Sequence, residues 1–254
     1  MPIPRLSYSV SGTAGTKPKT RVSSTYRRSG ENYMHQAPTV LLVMATLFIA
    51  ACSEAPEAPK LAETAKETQA SSAIGQIDDA RINNADSEPG NWLAYGRTYE
   101  EQRFSPLKQI NKDTVKDLGL AWHKDMGTNR ALESTPIVVD GIMFFTSTWS
   151  RVYAIDAVTG EEKWQFDPEV PREWGRRACC DVVNRGVAVY KGHVYFGSLD
   201  GRLFSLDAET GKQVWSVDTI IDRDRFYTVT GAPRIANDKI FIGNGGAEFG
   251  VRGY

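Results

Sequence analysis

Histidine is scarce in this chain: His35, His123 and His193 stand far apart among 254 residues, and no Cys-x-x-Cys-His occurs. That pattern excludes a histidine-built zinc site and a c-type haem carried by this chain itself. Cysteine is as rare, and three residues, Cys52, Cys179 and Cys180, cannot make a multi-bridge disulfide scaffold. Neither charge predominates: 30 Lys and Arg stand against 31 Asp and Glu, and no basic stripe is interleaved with aromatics, which removes nucleic acid from the partner classes. The long apolar run from Ala37 to Ala51 holds fifteen residues, short for a bilayer span. The glycine-rich GNGGAEFG lacks the Gly-x-Gly-x-x-Gly order, because Glu248 falls on its last position, so a nicotinamide pocket is excluded.

What is present begins with an address. Residues 1–33 hold six Lys and Arg against one Glu and form an N-terminal extension of uncertain start, since Met34 lies directly before the apolar run. Residues 34–51 read as a lipoprotein-type signal segment, with Ala37 to Ala51 as its apolar core. Its end, Ile49-Ala50-Ala51-Cys52, resembles the bacterial lipobox, which implies lipidation of Cys52; an ordinary signal peptide that happens to contain a cysteine is the alternative. The Ala-, Glu-, Pro- and Ser-rich residues 52–89 then read as an acidic disordered tether between lipid and fold.

The body carries an internal repeat. AIDAVTGEEKW at 154–164 and SLDAETGKQVW at 205–215 place Asp156 and Asp207, Gly160 and Gly211, and Trp164 and Trp215 each 51 residues apart, and a third copy starts at NDKIFIGNGG. Within each unit, short β-branched and aromatic runs alternate with Gly or Asp turns, the signature of hairpins. Four short antiparallel strands in about 50 residues describe a β-propeller blade; a solenoid is the rival. The Asp-x-x-Thr-Gly segment predicts a tight turn, and the following Trp is placed to lie flat between blades. Residues 90–254 hold about three such units, too few to close a ring, so the chain is expected to be part of a longer protein.

Residues 90–254 resemble the opening of the quinoprotein alcohol dehydrogenases, carried by GNWLAYGRTYEEQRFSPLKQIN, which is similar to the family's opening strand, the two Asp-x-x-Thr-Gly-x-x-x-Trp repeats, CCDVVNRG and GGAE. The resemblance implies an all-β, eight-bladed propeller that binds pyrroloquinoline quinone and Ca²⁺, or a lanthanide in its place. It implies a vicinal disulfide between Cys179 and Cys180 packed against the quinone, although two adjacent cysteines in an arbitrary sequence read as unlinked thiols. It places Arg185, Glu133 and Thr230 at the cofactor, together with Gly245, Gly246 and Ala247, whose small size admits a close backbone approach. Glu248 becomes the metal ligand, a carboxylate suited to a hard cation. The catalytic Asp base is expected beyond Tyr254.

The activity so implied is oxidation of a small primary alcohol in the periplasm, with electrons passing to a cytochrome c or a quinone and the membrane reached through a lipid on Cys52. A haem c enters only through a downstream domain. The alternative is a noncatalytic lipoprotein propeller that assists outer-membrane protein assembly through its sheet edges; Cys179, Cys180 and Glu248 discriminate against it, having no use in such a scaffold.

Overall fold

In the computed structural model the described residues are 74–254. The extension 1–33, the signal segment 34–51 and Cys52 lie outside them. Two four-stranded antiparallel sheets follow one another. The first contains β1 (Ile137–Val139), β2 (Ile142–Thr146), β3 (Val152–Asp156) and β4 (Glu162–Phe166). The second contains β5 (Ala188–Tyr190), β6 (His193–Gly197), β7 (Arg202–Asp207) and β8 (Gln213–Asp218). A third hairpin pairs β9 (Arg234–Ala236) with β10 (Lys239–Phe241). Each sheet is a meander in chain order with every strand pair antiparallel, which is a propeller blade and sets aside the solenoid. The bulge between Ala154 and Ile155 recurs between Ser205 and Leu206, so the 51-residue period is kept down to a local irregularity of the ladder.

The Asp-x-x-Thr-Gly segments do what their residue types predict. Asp156 Oδ1 accepts from the backbone N–H of Val158 at 3.0 Å and of Thr159 at 2.9 Å, and Asp207 Oδ1 accepts from that of Thr210 at 2.8 Å. Gly160 and Gly211 close the turns with φ of 75° and 70°, the left-handed region that a Cβ disfavours. These glycines have a second reason to be small. The Trp164 indole lies over Gly211 of the next blade and donates through Nε1 to Ala208 O at 3.0 Å, so a Cβ on Gly211 would stand 2.5 Å from Trp164 Cδ2. Trp122 repeats the arrangement one blade earlier, lying over Gly160 and donating to Ala157 O at 3.3 Å. It belongs to a Trp-x-x-Asp series, Trp122–Asp125, Trp164–Asp167 and Trp215–Asp218, that the longer motif conceals. Phe166 of the first blade adds edge contacts to Phe196 and Phe204 of the second, with centroids 6.0 and 5.7 Å apart.

Two expectations change. The stretch up to residue 89, read as a tether, is part of the fold from residue 74 onward. Ile77, Ile82 and Ala85 are buried in the core shared by both blades, and the short helix α1 (Asp79–Asn83) is capped by Asp78. Arg81 pins it to Glu88 and to Asp140, each at 2.7 Å. Composition conceals this because the acidic residues are solvated while three apolar side chains do the packing. The leading GNWLAYGR segment, read as a strand, pairs only through Trp92, which exchanges two backbone hydrogen bonds with Val138. Left-handed backbone at Arg97 and Arg103 then turns the chain away from the ladder.

Antiparallel topology also sorts the connections. The start of each first strand, the link between second and third strands, and the link leaving the fourth all lie at one end of a blade. The Asp-x-x-Thr-Gly turns, joining third to fourth strands, lie at the other. Gly211→Ala is expected to cost about 3 kcal/mol, from left-handed strain plus displacement of Trp164. Gly141→Ala, with φ +79° and nothing within 4 Å of its Cβ, serves as the comparison, and strain alone sets its cost at about 1 kcal/mol. Urea unfolding of the complete protein measures both, and equal costs would show that the indole contact contributes nothing.

Candidate functional site

Glu133, Arg185 and Thr230 come from three consecutive units, and each lies a few residues before its unit's first strand, β1, β5 or β9. The repeat therefore delivers them to the same end of the sheets. Arg185 joins the other two: its guanidinium meets Glu133 Oε2 at 2.9 Å and donates to Thr230 Oγ1 at 2.6 Å. The backbone follows the same route, with Arg185 N–H donating to Thr230 O at 2.9 Å and Thr135 N–H to Arg185 O at 3.1 Å. Asn184, buried, fixes the turn that aims Arg185. Its amide donates to Gly197 O at 2.7 Å, its Oδ1 accepts from Gly186 N–H at 3.1 Å, and Gly186 takes φ of 126°.

Cys179 and Cys180 form a disulfide between neighbours, with Cα atoms 3.8 Å apart, on an exposed turn of the link from β4 to β5. Asp181 follows with φ of 73°. Its carboxyl is held below the ordinary range by the backbone N–H of Val182 and, against some desolvation, by the Arg130 guanidinium. The GNGGAEFG stretch follows β10 and bends through a 3₁₀ turn at Ala247–Phe249. Gly245 exchanges backbone hydrogen bonds with Thr228, and Gly246 takes φ of 119° against Phe226 O and Val251, where a Cβ has no room.

These segments enclose a cavity of about 220 Å³ lined by Cys179, Cys180, Arg185, Thr230, Gly245, Gly246 and Glu248, with Ala178, Asp181, Val183 and Thr228. Glu133 and Ala247 stand outside its wall; Glu133 reaches it through Arg185, and Ala247 sits in the turn that presents Glu248. Asp181, Asn184, Thr228 and Arg130 went unnoticed in the sequence. The first two lie inside CCDVVNRG, whereas Thr228 and Arg130 carry no local signal.

The chemistry of the wall fits a planar, polyanionic cofactor. It offers one permanent cation with a forked donor set, the hydroxyls of Thr228 and Thr230, a pair of uncharged sulfurs, and a glycine backbone that something can approach closely. For a hard cation the fit is partial. Glu248 is a suitable oxygen donor, but the described residues contain no group of three or more His, Cys, Asp or Glu able to hold a metal, and Ca²⁺ takes six to eight oxygens, so most ligands must come from elsewhere.

Comparison with known proteins bears on the family. The profile of the PQQ family, glucose/ethanol/alcohol dehydrogenase β-propeller domain, matches residues 92–248. Quinohemoprotein alcohol dehydrogenase ADH-IIG of Pseudomonas putida is 60% identical over 178 residues, covering 70% of this chain and 25% of the relative. The 1-butanol dehydrogenase (cytochrome c) of Thauera butanivorans is 58% identical over 165 residues, covering 65% of this chain and 24% of the relative. Among solved structures, that of ADHIIG from Pseudomonas putida HK5 superposes with a TM-score of 0.70 at 58% identity, covering 72% of this chain and 27% of its own. A europium-containing methanol dehydrogenase superposes with a TM-score of 0.65 at 39% identity, covering 68% of this chain and 31% of its own. The chain thus spans about a quarter of the length of the curated relatives it matches. With the repeat, the meander blades and the vicinal disulfide in place, the chain belongs to the PQQ-type glucose/ethanol/alcohol dehydrogenase β-propeller family.

Proposed function

We propose that the protein containing this chain oxidises a primary alcohol to an aldehyde in the bacterial periplasm. It uses pyrroloquinoline quinone with Ca²⁺ beside it and passes electrons to a cytochrome c or a quinone. One observation carries the reading: Arg185 ties Glu133 to Thr230 at a cavity whose wall also holds the Cys179–Cys180 disulfide and Glu248. When bound, pyrroloquinoline quinone supplies the acceptor for the two electrons and hydrogen leaving the alcohol carbon.

The chain's own residues bind, orient and shield. Arg185 contributes a positive charge and a planar fork with donors to spare for a carboxylate after its bonds to Glu133 and Thr230. Thr230 Oγ1 accepts from Arg185, which leaves its own proton free for a second acceptor. The disulfide offers a polarisable, uncharged surface that covers a ring and keeps water from it. Glu248 supplies a carboxylate oxygen to Ca²⁺ or, by the same hard-oxygen chemistry, to a lanthanide; the europium in a related methanol dehydrogenase supports that substitution. Asp181 is no candidate for the base that takes the alcohol proton, because Arg130 holds its carboxylate. That base is assigned to an Asp beyond Tyr254.

The names of the relatives support a small alcohol as substrate and a cytochrome as acceptor, and the quinohemoproteins among them support a haem c domain outside this chain. Cys52, outside the described residues, is proposed as the lipid-bearing residue. The noncatalytic scaffold gives no account of why a cation, a vicinal disulfide and a glutamate share one cavity.

Dye-linked alcohol oxidation by the complete protein, reconstituted with pyrroloquinoline quinone and Ca²⁺, is expected to collapse in Glu248→Gln and in Cys179→Ala/Cys180→Ala. Arg185→Gln is expected to weaken quinone binding roughly 100-fold, the loss of one charge-assisted bidentate contact, read by quenching of tryptophan fluorescence. Unchanged quinone affinity in Arg185→Gln would remove the cofactor assignment. For the anchor, Cys52→Ser is expected to move the protein from the membrane to the soluble fraction and to abolish labelling by radioactive palmitate, and retention at the membrane would refute lipidation there.

A further inference from the structure

The residues that carry the cofactor reading do not hold the disulfide in place. Cys179 and Cys180 are themselves exposed, so burial does not fix their position. What fixes the turn lies on either side of them. On the far side, Asp181 forms an ion pair with Arg130, a residue 51 positions earlier in the preceding unit. One residue on, Val182 is buried, and its carbonyl accepts from the backbone N–H of Trp149 at 2.9 Å. On the near side, the 3₁₀ segment Arg172–Arg177 lies on the Trp149 ring: Arg172 stacks 4.2 Å from its centroid, and a Cβ on Gly175 would stand 3.1 Å from its Cη2.

Trp149 and Ser150 have φ of 62° and 58° in the link between β2 and β3. A bulky aromatic in the left-handed region persists only where its surroundings over-determine it, and here both the disulfide turn and the 3₁₀ segment rest on it. Arg130 also approaches the Trp149 ring, 5.8 Å from its centroid. Four residues of the first unit, 130–133, therefore reach the second unit twice, Arg130 to Asp181 and Glu133 to Arg185. Electrostatics gives the first pair a second consequence. Asp181 lines the cavity, and an unpaired carboxylate there would repel a polyanionic ligand.

We infer that Arg130 and Asp181 are positioning residues of this site, a clasp between the first two blades that holds the Cys179–Cys180 disulfide over the cavity and neutralises the Asp181 carboxylate, which lines the cavity together with Glu248 and, unlike it, is assigned no cation of the cofactor site. The inference rests on the pyrroloquinoline quinone reading. It predicts an asymmetry that mere loss of structure would not produce. Arg130→Gln frees the disulfide turn and leaves Asp181 as a bare negative charge, whereas Asp181→Asn loosens the turn but removes the charge.

The test uses the complete protein in its cofactor-free form, with wild type, Arg130→Gln, Asp181→Asn and the double variant compared at low salt after matching melting temperatures establish folding. Arg130→Gln is expected to weaken pyrroloquinoline quinone binding about tenfold, Asp181→Asn only about threefold, and the double variant to match Asp181→Asn. Arg130→Lys, which keeps the charge, is expected to stay within about threefold of wild type. Without any cofactor, dithiothreitol should reduce Cys179–Cys180 several-fold faster in both single variants, read by thiol labelling. Equal losses in all three variants, or affinity and reduction rates within about twofold of wild type, would overturn the clasp while leaving the cofactor reading intact. Wild-type protein that binds no quinone would overturn both.

Discussion

The stacking of an indole on a left-handed glycine of the neighbouring blade is the contact on which everything else depends. Trp122 on Gly160, half-buried, and Trp164 on Gly211, buried, each satisfy the indole N–H on a backbone carbonyl of the next unit and occupy the volume a Cβ would take. A contact so specific in chemistry and shape sets both the spacing and the rotation between blades. Without it the sheets would remain individually paired, but their relative placement would rest on non-directional packing of Phe166 against Phe196 and Phe204.

That placement matters because the site belongs to no single blade. Glu133, Arg185 and Thr230 are contributed by three units, the disulfide by a link between units, and Glu248 by the link following β10. Each lies on a connection at the same end of a meander, and the docking tryptophans and their turns operate at the opposite end. Stability and chemistry are thus separated along the strand direction, which leaves one end free to carry strained backbone at Trp149, Asp181 and Gly246.

Much of this was legible from residues alone. The 51-residue period gave the blades, the Asp-x-x-Thr-Gly turn gave its own hydrogen bonds through the acceptor geometry of Asp, and resemblance to a known family singled out CCDVVNRG and GGAE. The segment 74–89 reads as a tether because average composition says nothing about three apolar side chains spaced to pack on a sheet. The Trp122 contact is faint in the sequence because the longer motif is absent before it, although the shorter Trp-x-x-Asp spacing is present.

The sequence by itself determined the antiparallel meander, the docking turns and the end of each blade at which the site residues fall, because turn chemistry and strand alternation are local and repeat with the chain. Only the tertiary structure decided that Arg185 bridges Glu133 and Thr230, that Arg130 meets Asp181, and that Trp149 supports the disulfide turn. Those partners lie 33 to 52 positions apart in the chain. Their meeting depends on the rotation between blades, a property of packed rings and glycines that no local pattern encodes.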